Sequence, residues 1–211
     1  GYSQNTKNLN YTFKNDLDGC TTISGDDHNW YHSSNGNDHG WNKQYSGTTP
    51  SGGGFIFSES YCNNTNKGFD PDHFIVLSKQ IIPSGSTSFD FYVCSLADGY
   101  NYADETFGVF VSTESNTVPN DFKEVYNYTL PSKKPANYAA YDSKKMTLHS
   151  VDLTSYEDQK IWVAIRHYGA GDNAALAVDD ITVYNVKSIS TFTHEKTFTV
   201  TVNTPTNIYT G

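Results

Sequence analysis

TSFDFYVCSL, residues 87–96, decides the fold class. In an extended chain Phe89, Phe91, Val93 and Ser95 fall on one side, and Asp90, Tyr92 and Cys94 on the other. That is the period-two pattern of a strand with one apolar face. KIWVAIRHY (160–168) repeats it, with Ile161, Val163, Ile165 and His167 sharing a face. Working outward, FIFSESY (55–61), FIVLSKQII (74–82), TFGVFVST (106–113), EVYNYTL (124–130), MTLHSVDL (146–153) and LAVDDITVYNV (176–186) are strand-sized and separated by turn clusters. Eight strands, before the N-terminal NYTF is counted, predict an all-β domain of two packed sheets.

Composition agrees. Twelve Phe, 16 Tyr, a single Met and 16 Gly favour strands and turns over helices. At 211 residues the chain can bury a sizeable core as one main domain, read here as residues 1–186. Residues 187–211 are read as a linker and the start of a following β domain, or as an extra edge strand of the same one. With 23 acids, 14 bases and no basic stripe, the net charge of −9 argues against a nucleic-acid partner and suits a hard cation. The longest apolar runs, such as FIVL at 74–77, are too short to insert in a membrane. Cys20, Cys62 and Cys94 allow at most one internal disulfide and leave an odd thiol.

Residues 14–54 read differently: a long polar loop of Asp, Asn, Gly, Ser and His, expected to be functional or held by something local. It contains HNWYHSSNGNDH (28–39), whose His28, His32 and His39 invite comparison with H-E-x-x-H-x-x-G-x-x-H zinc proteases. The comparison fails. Asn29 stands where the catalytic carboxylate belongs, and turn-forming residues follow His32 at once. The histidines are therefore expected to be solvent-facing decoration, and a metal-dependent hydrolase around them is a minor alternative.

Acids cluster at Asp16 and Asp18, Asp26 and Asp27, Asp70 and Asp72, Asp98 to Glu105, and Asp179 with Asp180. In a regular strand one of Asp179 and Asp180 must point inward among Val178, Ile181 and Val183. A buried carboxylate needs a partner, and calcium, which takes six to eight oxygens, would supply one. Pairing with a neighbour such as Arg166 is the alternative. Trp30, Trp41, Tyr100 and Tyr102 lie in polar loops and are candidate ligand contacts, with plugging of the sandwich end as the competing role for the tryptophans. No Gly-x-Ser-x-Gly elbow or cysteine signature suggests catalysis, so the chain is read as non-enzymatic.

Several stretches, in order, resemble the cleaved-adhesin modules of gingipain-type haemagglutinins in Bacteroidetes: TTISGDDHNW, SESYCNN, FDPDHFIVLS, TSFDFYVCSLADGYNYADETFGVFVST, PNDFKEVYNYTL and KIWVAIRHYGAGDNAALAVDDITV. The closing Asp-Asp-Ile is also similar to MAM-type jelly rolls. The resemblance implies a jelly-roll β-sandwich of two antiparallel sheets, structural calcium, and a secreted or cell-surface adhesion role. Host matrix proteins, haemoglobin or erythrocyte surfaces are the ligands it implies, on a chain that is one part of a larger multidomain protein. By position it assigns calcium ligands to Asp26, Asp27, Asp179 and Asp180. Lys14 departs from the acid usual after Phe13, so Asp16 is expected to substitute, and Cys20 stands where a Trp is usual. The expected mechanism has one ion tie the N-terminal loop to the last strand. A carbohydrate-binding module of a secreted polysaccharide-degrading protein is the competing class.

Overall fold

A computed structural model describes residues 6–34, 37–42, 49–97, 101–132 and 144–188. Its strands, in chain order, are β1 (Thr6–Tyr11), β2 (Thr21–Ser24), β3 (Trp30–Ser33), β4 (Asn37–Asp38), β5 (Trp41–Asn42), β6 (Phe55–Glu59), β7 (Tyr61–Cys62), β8 (Lys67–Gly68), β9 (Asp72–Val76), β10 (Ser88–Ser95), β11 (Thr106–Ser112), β12 (Lys123–Thr129), β13 (Thr147–Asp152), β14 (Trp162–Tyr168) and β15 (Ala175–Lys187). Helix among the described residues is limited to two single 3-10 turns, Pro119–Asp121 and Thr154–Tyr156.

The eight alternating segments all became strands, joined antiparallel into two sheets. One runs β13-β10-β15-β6-β3, and β15 is long enough to pair with β6 along its first half and β1 along its second. The other runs β12-β11-β14-β9-β2. Between them Phe89, Phe91 and Val93 of β10 meet Phe107, Val109 and Val111 of β11, Val163 and Ile165 of β14, and Ile161 just before it. Each fully buried Phe or Ile of this core contributes about 1.5–3 kcal/mol. A second apolar cluster, including Trp41, Phe55, Phe57, Cys94, Leu96 and Met146, covers part of the first sheet's outer face.

Two expectations change. Residues 14–54 are not simply a loop, because β2 and β3 add one edge strand to each sheet. Both are four residues long, and β2 exposes or half-exposes every side chain, so neither carries the alternation that marks a central strand. Short polar edges of this kind discourage pairing with other chains.

The second change concerns Asp179 and Asp180. Leu176 and Val178 face the main core, but so do Ile181 and Val183, so the alternation slips by one. The ladder with β10 is irregular at this point and Asp180 sits at φ 46°, the signature of a β-bulge. The extra residue turns both carboxylates away from the main core and onto the outer face of the first sheet. Of residues 187–211, only the end of β15 and its immediate continuation are described; the rest of that reading lies outside the described residues.

Candidate functional site

A chain of polar side chains crosses the sandwich. Ser58, on β6, points inward where its neighbours Phe57 and Glu59 point outward. Its hydroxyl lies 2.8 Å from His73 Nδ1 on β9 and 2.8 Å from His167 Nδ1 on β14. The far side of each imidazole meets an acid: His73 Nε2 is 3.0 Å from Asp26 Oδ1, and His167 Nε2 is 2.8 Å from Glu105 Oε2. Glu105 also accepts from Ser60 Oγ and from the Ala174 amide. Ser58, His73, His167 and Glu105 are fully buried.

If each carboxylate takes an Nε2–H, both Nδ1 lone pairs face one hydroxyl that has a single proton to give. The fully bonded chain therefore holds one proton more than two carboxylates and two neutral rings supply. Burial pushes the His73 ring below the ordinary histidine value, against the pull of Asp26. Burial works the other way on Asp26, but the His28 amide, the His73 ring and Ser24 outweigh it and hold its carboxyl below the usual range. Asp26, His73 and Ser58 superficially resemble a catalytic triad. Ser58 is sealed between the sheets, however, and the arrangement serves as a polar pin rather than a nucleophile.

Outside the pin, at the end of β6, a second group converges. Glu59 is fully buried; its Oε1 accepts from Trp41 Nε1 at 2.7 Å, and its Oε2 has no hydrogen-bond partner. His28 Nδ1 and His39 Nδ1 lie 3.7 and 3.5 Å from that oxygen. Donor atoms of His28, Glu59 and the buried free thiol Cys62 lie within 4.8 Å of one another. His28 stacks on Phe69, with ring centroids 4.0 Å apart, and His39 on Tyr31 at 3.9 Å. Burial raises the Glu59 carboxyl above its ordinary value, opposed by Trp41 and the two imidazoles. These histidines are half-buried and aimed inward, contrary to the expectation of solvent-facing decoration. His32 is separate: its Nε2 meets the Phe13 carbonyl at 2.8 Å, so the three-histidine hydrolase set is not assembled.

Beside this cluster opens a hollow of about 580 Å³ lined by Trp41, Tyr61, Asn63, Asn101, Tyr102 and Asp172, among others. Tyr102 is 66% exposed, the most open large hydrophobic side chain among the described residues. Of the predicted contacts, Tyr102 stands at this rim and Tyr100 lies outside the described residues. Trp41 is only 5% exposed and gives the hollow part of its wall. Trp30 is a correction: its ring is buried in the main core and its Nε1–H donates to the His73 carbonyl. Each indole buries because its N–H finds an acceptor.

The predicted calcium acids fall into separate places. The buried Asp179 accepts from Thr49 Oγ1, and Asp180 Oδ2 from the Ser51 amide. Asp180 also lines an open hollow with Asn10, Thr12 and Asp90. Asp16 accepts from the Asp18 amide, and Asp18 in turn from Thr12 and Phe13. Asp26 belongs to the pin, and its neighbour Asp27 is exposed. The structure thus unites Asp179 with Asp180 but engages Asp26 on the other side of the first sheet. Arg166, the alternative partner, pairs with Asp72.

A family model described as Cleaved Adhesin Domain matches residues 14–183. The chain belongs to the cleaved-adhesin family. Hemagglutinin A of Porphyromonas gingivalis strain W83 is 29% identical over 178 residues, which are 81% of this cleaved-adhesin chain and 8% of that protein. The chain therefore spans less than a tenth of the curated relative's length. Among solved structures, the K1 cleaved adhesin domain of Lys-gingipain from P. gingivalis W83 superposes with a TM-score of 0.65 at 22% identity, covering 84% of this chain and 97% of that one. The K3 domain of the same protein gives 0.64 at 24% identity, covering 83% and 97%. A xylan-binding domain from Paenibacillus barcinonensis gives 0.51 at 11% identity, covering 88% and 99%, a likeness of fold alone.

Proposed function

We propose that this cleaved-adhesin domain is a non-catalytic adhesion module of a secreted or cell-surface multidomain protein. It holds a host extracellular protein or a cell-surface glycan at the hollow under Tyr102. Family membership supports the adhesive role, and the observation that carries the site is an exposed tyrosine over a concave wall of Tyr61, Asn63, Asn101 and Asp172. An open ring beside amide and carboxylate groups suits a sugar face or a peptide side chain. The antiparallel scaffold beneath it, pinned through Ser58, keeps that wall in place.

Structural calcium is part of the proposal, now centred on the Asp179–Asp180 bulge. The donors gathered there are oxygens: two carboxylates and the Thr49 hydroxyl, with Asn10 and Thr12 along the adjoining hollow. That set fits a hard cation. Asp26 is engaged by His73 and Asp16 by the Asp18 amide, both away from the bulge, so the ion is proposed at Asp179 and Asp180 rather than as a tie from Asp26 and Asp27 to the last strand. An ion here would fix the segment around Thr49 and Ser51 against β15.

The tests are separate. A panel of matrix proteins and a glycan array, probed with the parent domain and with Tyr102→Ala, addresses the site. Binding that Tyr102→Ala leaves intact would move the contact elsewhere. Binding confined to plant-type polysaccharides would favour the carbohydrate-binding alternative. Thermal unfolding in EDTA and after calcium addition addresses the ion. At a thousandfold over its dissociation constant, calcium should add about 4 kcal/mol and raise Tm by several degrees. A rise that persists in Asp179→Ala and Asp180→Ala would refute the bulge as its site.

A further inference from the structure

We infer that His28, Glu59 and Cys62 form a three-ligand site, with a fourth position left to water, for one divalent transition-metal ion of the zinc class, distinct from any calcium site. The inference stands apart from the adhesion reading. Its first support is the orphaned oxygen: Glu59 Oε2 is fully buried, has no hydrogen-bond partner, and is directed toward two imidazoles and a thiol. An unpaired buried carboxylate oxygen costs several kcal/mol unless a cation or proton satisfies it.

The second support is the spacing. At 3.7 and 3.5 Å, the Glu59 Oε2 contacts with His28 and His39 are too long for hydrogen bonds. The His28–Glu59 separation matches the edge of a coordination tetrahedron, which for metal–ligand bonds of about 2.0–2.3 Å is roughly 3.3–3.7 Å, and Cys62 lies within 4.8 Å of both. An imidazole, a carboxylate and a thiolate are a donor set for zinc and its tetrahedral substitutes, and a poor one for calcium.

The surroundings orient the ligands. The Trp41 N–H holds Glu59 Oε1 and leaves Oε2 free, while Phe69 sets the plane of His28. Such outer contacts commonly tune a metal site. The three ligands come from the β2–β3 turn, the end of β6 and β7, so one ion would tie the β2–β3 turn to the β6–β7 segment. Two of its neighbours, Trp41 and Tyr61, are walls of the Tyr102 hollow.

The experiment uses the full chain, tag-free and stripped with chelator, titrated with Co(II) and then competed with Zn(II). Expected are one ion per chain, the intense visible bands of tetrahedral Co(II), and a near-ultraviolet thiolate-to-cobalt band. Zn(II) should displace the ion and calcium should not. Cys62→Ser should abolish the thiolate band. His28→Ala, at a half-exposed position and expected to fold, should weaken binding at least tenfold. Trp41→Phe should weaken it by roughly ten- to a hundredfold. Absence of cobalt binding, an octahedral spectrum without the thiolate band, or unchanged affinity in His28→Ala would overturn the inference.

Discussion

Ser58→Ala is the substitution that best tests the pin between the sheets. It removes a single oxygen from a fully buried position and leaves no cavity large enough for water. At an ordinary buried serine the cost would be about 1 kcal/mol, the net worth of a hydrogen bond. Here the hydroxyl lies 2.8 Å from a ring nitrogen of each of two imidazoles. Its loss orphans two buried ring nitrogens, each costing about 1–3 kcal/mol, or roughly 2–6 kcal/mol together. For a domain of this size each kcal/mol moves Tm by about 2–4 °C, so a drop of roughly 4–24 °C is expected. Urea unfolding supplies the free energy and calorimetry the Tm. A double-mutant cycle with His73→Phe supplies the decisive control, because removing one ring also removes one of the orphans. Ser58→Ala should then cost at least 1 kcal/mol less in the His73→Phe background than in the parent. A single-mutant cost below about 1 kcal/mol, or strictly additive costs, would refute the pin.

Other consequences are equally direct. Tyr102→Ala should leave stability within about 0.5 kcal/mol of the parent by urea unfolding, since the ring is exposed, so any loss of binding reads as lost contact. Gly54→Ala should destabilise by about 1–3 kcal/mol in the same assay: its Cβ would press on the backbone carbonyls of Phe13 and Lys14, the latter at 2.8 Å, and neither can swing away. His149 packs against Phe91 and Phe107, and burial depresses its ring below the ordinary value of 6.5. The unfolded chain thus takes up a proton that the folded chain refuses, and stability present above pH 6.5 is lost as the pH falls below it. His149→Gln should flatten that part of a Tm-against-pH curve. The Cys20 thiol, pushed up to about 12 by burial, should resist alkylation at pH 8 in the folded protein and react on unfolding.

What the sequence reveals here follows the range over which each feature is encoded. Strands β10 and β14 declare themselves because a buried face imposes alternation on five or more consecutive residues, and β6, β9 and β11 because they are apolar runs of strand length between turns; a reader needs only those residues to see either. The edge strands β2 and β3 lie on the sheets' margins, where half of the backbone pairing and most of the burial are absent, so their polar composition reads as loop. Local logic fails again at Asp179 and Asp180: strict alternation assigns one carboxylate to the core, whereas a bulge sends both outward. Only the repeated core positions on either side, Val178 and then Ile181, record the slip. An Asp that accepts φ 46° is itself a weak sign, since short polar side chains tolerate the left-handed region better than most.

The histidines illustrate the opposite limit. Within HNWYHSSNGNDH the spacing argues correctly against a helical zinc motif, yet His28 converges on a carboxylate and a thiol that the chain supplies at residues 59 and 62, and His39 approaches the same carboxylate. No periodicity links these positions, because the approach is set by β3 pairing with β6 and by the turn that follows β6. What the sequence does contain is FIFSESYC (55–62), where an acid follows two outward-facing phenylalanines on the same strand face. That pattern places Glu59 at the edge of an apolar cluster, under the indole of Trp41, where an ionised group cannot remain unpaired. A carboxylate at the end of an apolar strand face is therefore a legible request for a partner, even where the partner's identity emerges only from the fold. Here the groups that answer are imidazoles and a thiol, and the test of that answer is whether cobalt acquires a thiolate band that Cys62→Ser removes.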